Sequence, residues 1–233
     1  MTRRILSLFF VFVAMSAAAR CAGQEFWEKK DYRQWTRQEC ERLLKNSPWA
    51  QNFDTVVPIM VTVAGTGQDS NREVSYVVQF RTAKPIRQAV VRQSLILAKS
   101  DEQPPKLRAA YEAQGQTFVD AESPDVVLVH VMYGTNIESL DRDLANYWQH
   151  QTIDTVRNNI ALLVPRGRIA PLAYQLPTNG AREFELVFPR MLNGQPLFGP
   201  NDKSVGFELI AGSTRVFVQF TVKDMIQDGK LLY

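Results

Sequence analysis

Few side chains in this sequence are of a kind that does chemistry. There are two histidines, His130 and His150, and two cysteines, Cys21 and Cys40. A thiol becomes a nucleophile when a neighbouring imidazole takes its proton, so Cys40 with either histidine is one pair to weigh. The spacing gives that pair no support. Cys40 falls on the apolar side of a helical stretch, where cysteine behaves as a small hydrophobe. His130 stands inside an apolar run, where a hydrogen-bonded core imidazole is the plainer reading.

Metal and phosphate chemistry fare no better. No Cys or His pair has zinc-ligand spacing, and two histidines cannot supply a three-histidine catalytic site. Asp141, Asp143, His150 and Asp154 cluster in sequence, but acids in a helix's first turn are expected from the macrodipole alone. Gly65-Thr66-Gly67 follows a strand-like run and could suggest a phosphate cradle. A dinucleotide fingerprint would need glycine where Ser70 stands, and a helix next where a strand is expected. The stretch reads as a hairpin loop. Neither G-x-S-x-G nor G-x-x-x-x-G-K-[ST] occurs. No catalytic, cofactor-binding or metal-ligating residue is therefore assigned, and no cofactor is expected.

Two surface readings remain. Lys84, Arg87, Arg92 and Lys99 lie along or beside one helix and read as a solvated face rather than an anion-binding stripe. Trp27, Trp35 and Trp49 cluster near the N-terminus with Phe26, Tyr32 and Phe53. Exposed aromatic rings can stack on sugars or anchor a partner, but interleaving with Leu43 and Leu44 favours core packing.

The elements that must position these residues centre on Asp125–Gly134. Between Pro124 and Gly134 lie Val126, Val127, Leu128, Val129, Val131, Met132 and Tyr133. A short β-branched run of this kind reads as a central strand covered on both faces. Ahead of it, Thr36-Arg37-Gln38-Glu39 matches a capping box, with Trp35 and Cys40 placed as a hydrophobic staple, so a helix is expected through Leu44. Thr55–Ala64 and Val74–Phe80 are strand candidates joined as a hairpin, with Gly65–Asn71 as the loop. Lys84-Pro85 opens a helix through Leu97, and a shorter one is expected over Leu107–Gln114. Leu140, Leu144, Tyr147 and Trp148 predict a helix over Asp141–His150. From Ile160 the pattern is almost entirely strand. Ala161–Val164 and Ile169–Tyr174 flank one turn, Phe184, Leu186 and Phe188 alternate, and Val205–Ala211 and Thr214–Val222 flank Gly212-Ser213. The expected fold is α+β, a mixed or antiparallel sheet with a helical N-terminal half and a hairpin-rich C-terminal half. Residues 24–233 are expected to form a single domain, with a subdivision near residue 155 as the alternative.

The N-terminus points to export. Arg3 and Arg4 precede an apolar run from Ile5 to Ala14, and small residues follow at Ser16–Ala19, the pattern of a secretory signal peptide. Cleavage after Gly23 is favoured over cleavage after Ala19, and Arg20 immediately before Cys21 argues against lipid attachment. The chain has 27 Lys+Arg against 24 Asp+Glu, and losing Arg3, Arg4 and Arg20 leaves 24 against 24. The basicity belongs to the signal, so nucleic acid is not an expected partner. No later run is apolar enough for a transmembrane segment. With Cys21 removed, no intramolecular disulfide is possible, and the core alone must hold the fold.

The run from Trp27 to Trp49, W-x-x-x-x-Y-x-x-W-[ST]-x-x-E-C-x-x-L-L-x-x-S-P-W, resembles the opening of a family of uncharacterised exported bacterial proteins. Pro124–Val131, Leu186–Arg190 and Gly229–Tyr233 are similar to the same family. The resemblance implies secretion and an orphan domain, and it brings no activity, cofactor or catalytic residue with it. The function expected is thus an exported, non-catalytic domain, periplasmic or extracellular, that binds a protein or polymer such as an envelope protein or polysaccharide. The alternative is a hydrolase assembled from distant residues around His130 or His150. A carboxylate or Cys40 within hydrogen-bond reach of either histidine, in a cleft, separates the two.

Overall fold

The computed structural model describes residues 25–57, 72–176 and 181–233. The expected signal peptide, residues 58–64 of the first strand candidate and the Gly65–Asn71 loop lie outside them. A short helix α1 (Phe26–Lys29) and a 3-10 turn (Tyr32–Gln34) lead into α2 (Arg37–Lys45). The capping box at its start is complete: Glu39 N–H donates to Thr36 Oγ1 at 3.2 Å, and Thr36 N–H donates to Glu39 Oε2 at 2.6 Å. The staple residues Trp35 and Cys40 are both buried.

Strands β1 (Ala50–Val57) and β2 (Arg72–Phe80) pair antiparallel, with β1 beginning at Ala50, ahead of the expected start at Thr55. They are followed by α3 (Lys84–Leu97), α4 (Pro105–Asp120) and β3 (Val126–Thr135). Then come α5 (Glu138–Gln149), α6 (Ile153–Asn159), β4 (Ile160–Val164), β5 (Gly167–Ile169), β6 (Ala173–Gln175) and β7 (Glu183–Pro189). Two-residue strands β8 (Met191–Leu192) and β9 (Gln195–Pro196) form a small hairpin. Its turn residues Asn193 and Gly194 have φ of 52° and 75°, the left-handed conformation that such turns require. The chain ends with β10 (Ser204–Ala211), β11 (Thr214–Thr221), β12 (Ile226–Gln227) and β13 (Lys230–Leu231).

The fold is α+β, with its helices towards the N-terminus, its strands towards the C-terminus and antiparallel sheets. The first sheet has the order β1-β2-β3-β7-β6 and the second β11-β10-β4-β5. Alternation puts Val74, Tyr76, Val78 and Phe80 of β2 on the same face as Val129, Val131 and Tyr133 of β3 and Phe184 and Leu186 of β7. The second sheet answers with Leu162, Phe207, Leu209, Val216, Val218 and Phe220, all buried. Phe80 meets Phe220 edge-on at 4.8 Å between ring centroids, and Trp148 of α5 packs at 4.5 Å from Phe184.

Three expectations need correction. β3 is central, third of five strands, but it is not covered equally on both faces. Val127, Val129, Val131 and Tyr133 are buried, whereas Val126, Leu128 and Met132 on the opposite face are half-buried. No second layer of apolar side chains is needed there, because an antiparallel sheet can leave one face to polar groups. The segment Ile169–Tyr174 is not one strand: β5 ends at Ile169 in the second sheet, and β6 begins at Ala173 in the first. Pro171, which has no N–H to offer a ladder, lies at the crossing. The helix expected over Leu107–Gln114 runs to Asp120, with Leu107 and Tyr111 exposed and Val119 its buried residue. Among the described residues, no helix is long and apolar enough to cross a membrane.

Candidate functional site

His130 is buried at 3% exposure, but its surroundings are not the apolar core. It pairs in register with Gln79 of β2 and Glu185 of β7, on the face of the first sheet opposite Val129 and Val131. Its Nε2 lies 3.2 Å from Glu183 Oε2. Its Nδ1 stands 3.4 Å from Glu185 Oε1, outside hydrogen-bond geometry. Arg81 Nε lies 3.8 Å from the same Glu185 oxygen. Two glutamates two residues apart on one strand face would repel, and the imidazole and guanidinium between and beside them offset that. The approach of His130 is the main cause holding Glu185 below the usual carboxylate value; burial opposes it and Arg81 adds to it. Burial pulls Arg81 down from its ordinary value, against the pull of Glu185 and then Glu183.

The carboxylates approach opposite ring nitrogens, so the two ring nitrogens and both acids do not converge on one metal position. Among the described residues, no group of three or more His, Cys, Asp or Glu is placed to hold a metal ion. Cys40, on the buried side of α2, is fully buried, and burial pushes its thiol up to about 11, away from a reactive thiolate. His150 sits exposed at the end of α5, its Nδ1 2.7 Å from the Asn146 carbonyl.

Asp141 departs from the expectation of a simple helix-dipole acid. It is buried, accepts from Thr135 N–H at 3.2 Å and pairs with Arg182 at 2.6 Å, tying the start of α5 to β3 and the approach to β7. The tryptophans are core residues. Trp35 and Trp49 are 1% exposed, and their indole N–H groups donate to the carbonyls of Lys30 and Leu232.

The four cations grouped by sequence are not one solvated face. Arg87 donates to the carbonyls of Val119 and Thr82, and Arg92 donates to that of Trp35. Lys84 pairs with Asp120 at 3.1 Å, and Lys99 lies 3.8 Å from Glu102. Helix–helix packing turned the longer stems inward, where their heads found orphan carbonyls.

Two concave regions were missed by sequence reasoning. On the outer face of the first sheet, a depression of about 550 Å³ is lined by Lys45, Asn46, Asn52, Asp54, Ser75 and Met132, among others. Around Lys84, three depressions of about 320, 360 and 430 Å³ adjoin. All three include Lys84; the first two share Gln88 and Gln227, and the last two share Lys230 and Leu232. The shared residues make a trough from Trp27 and Tyr32 at one end to Arg190 and Tyr233 at the other. The N-terminal segment with Trp27 and Tyr32, the start of α3, Gln116 of α4 and the C-terminal strands β12 and β13 each supply part of it. No protein-family model, curated protein or solved structure matches the chain.

Proposed function

We propose that the chain is an exported, non-catalytic domain of the cell envelope or extracellular space that binds a polymer, with polysaccharide favoured over protein. The observation that supports it is the trough through Lys84. Its shared residues are Gln88, Gln227, Lys84 and Lys230 with the apolar Leu232, and Gln116 joins them at the tryptophan end. Amide side chains both donate and accept, which suits the hydroxyls of a sugar chain. Three adjoining open depressions suit an extended ligand better than a compact one. No histidine or cysteine lines it.

Co-sedimentation of the chain from residue 24 with insoluble envelope polysaccharide tests this. Saturable binding that is weakened by Gln88→Ala with Gln227→Ala is expected. Absence of saturable binding, or equal binding by the double variant, overturns it.

One observation favours the hydrolase reading: His130 has a carboxylate within hydrogen-bond reach. It lacks an accompanying nucleophile in the observed contacts, and Glu183 is its exposed member, at 49% against 3% for the imidazole. Turnover of model esters or glycosides that disappears in His130→Ala, with polymer binding intact, would place the function on that face instead.

A further inference from the structure

We propose that the outward face of α4 docks a second copy of this chain, the two α4 helices packing antiparallel about a twofold axis.

α4 is 16 residues long, and Val119 is its buried residue. Leu107, Tyr111 and Phe118 remain 41%, 38% and 43% exposed. Together with the exposed Gln114 they recur at alternating steps of four and three residues, which places all four on one stripe of the helix. A helix in a protein gains most of its stability by packing such a stripe against something. The contact with α3, where Gly115 meets Val91, leaves the stripe uncovered.

The charges of the helix say what fits there. Its first turn contains Lys106 and Arg108 and no acid, and its last turn contains no base. Asp120 ends the helix and Glu122 follows just beyond it. Both ends therefore oppose the helix dipole, which favours acids at the start and bases at the end. Neighbours within the chain offset this only in part. Asp120 is taken by Lys84 at 3.1 Å, and of the acids ahead of the helix, Asp101 and Glu102, the second lies 3.8 Å from Lys99. Among the described residues, Lys106, Arg108 and Glu122 enter no ion pair.

A helix with a basic start, an acidic end and an apolar stripe between them is complementary to its own reverse. An antiparallel copy sets the acidic end of each α4 beside the basic end of the other, and the two dipoles then oppose one another. The same register lays Leu107 against Phe118 of the second copy and Tyr111 against its Gln114. Such a contact is isologous and closes at two copies. A parallel pair would instead set like charges together at both ends.

Sedimentation velocity on the chain from residue 24, over a series of micromolar concentrations, tests this. A monomer–dimer equilibrium that weakens as salt is added is expected. Tyr111→Ser with Phe118→Ser changes two exposed side chains, should leave the circular dichroism spectrum unchanged, and should weaken the dimer by about tenfold or more. Charge reversal reads the orientation. Lys106→Glu with Arg108→Glu makes both ends acidic and should weaken the dimer, whereas adding Glu122→Lys to the same chain should restore it. A chain that stays monomeric at every concentration, or a dimer untouched by the Tyr111 and Phe118 changes, overturns the surface. A dimer that the third substitution fails to restore overturns the antiparallel pairing.

Discussion

Val91 Cγ1 stands 2.5 Å from where a Cβ on Gly115 would lie. α3 and α4 approach each other here because one of them has no side chain at the contact. Gly115→Ala sets a gain of about 1 kcal/mol in helix propensity against a clash with a β-branched side chain that has little freedom to move. The clash should win, destabilising the fold by about 1–3 kcal/mol. Urea denaturation measures this, and Val91→Ala in the same background should return part of the loss. A more stable Gly115→Ala protein would mean that α4 is free to slide away.

Thr36 closes a capping box with both hydrogen bonds in place. Thr36→Ala should lower stability by about 0.5–2 kcal/mol, and Thr36→Ser should do little, since serine keeps the accepting oxygen. Equal losses in thermal or chemical denaturation would show that packing of the threonine methyl, not the cap, matters.

Cys40 should be inert in the native state. Its side chain is fully buried and its thiol is pushed up to about 11. A thiol reagent at pH 7.5 should label it only on denaturation, and Cys40→Ala should cost on the order of 1 kcal/mol. Labelling of the folded protein within minutes would contradict the burial.

Glu185 links the sheet's polar face to pH. Its folded pKa lies below the ordinary value of 4.5. The stabilisation is therefore complete above that ordinary value. As pH falls below it, the unfolded chain takes up the proton first, so stability drops until the folded carboxyl is protonated too. Glu185→Gln should flatten this dependence, as read from urea midpoints at successive acidic pH values. In His130→Ala, NMR titration should show Glu185 moving back towards the ordinary value. An unmoved Glu185 would assign the depression to Arg81.

The proposed export predicts a mature form that begins near Gln24 and carries no lipid. Its intact mass decides this, and a mass starting at Cys21 with added acyl chains would reverse it.

What was legible in the sequence was local. The Thr36–Glu39 cap, the Gly212-Ser213 hairpin and the Lys84-Pro85 helix start each depend on neighbours a few residues apart, and each stands where expected. The central strand was legible in position but not in environment. Leu128 and Met132 fill its outer face with apolar side chains, which hid the period-2 pattern and made His130 look like a core residue. Its carboxylate partners lie more than 50 residues away in sequence and arrive only through the β3–β7 register. The trough was illegible for a similar reason. Arg190, Gln227 and Lys230 reach α3 through the C-terminal strands, and no spacing within one segment encodes that meeting.

The weaving of the two sheets has a consequence for how the chain acquires its shape. Strands of the first sheet come from residues 50–57, 72–80, 126–135, 173–175 and 183–189, and those of the second from 160–164, 167–169, 204–211 and 214–221. During synthesis, the first three strands emerge with Val127, Val129 and Val131 facing nothing. Their partner strand β7 follows some 50 residues later, and Phe220 of the opposing sheet later still. Pairings this distant must close large loops before they are rewarded, so folding should be slow and should begin only when nearly the whole polypeptide is present. A nascent chain of this design stays an extended thread for a long time, and until Phe220 arrives it depends on whatever shields its valines.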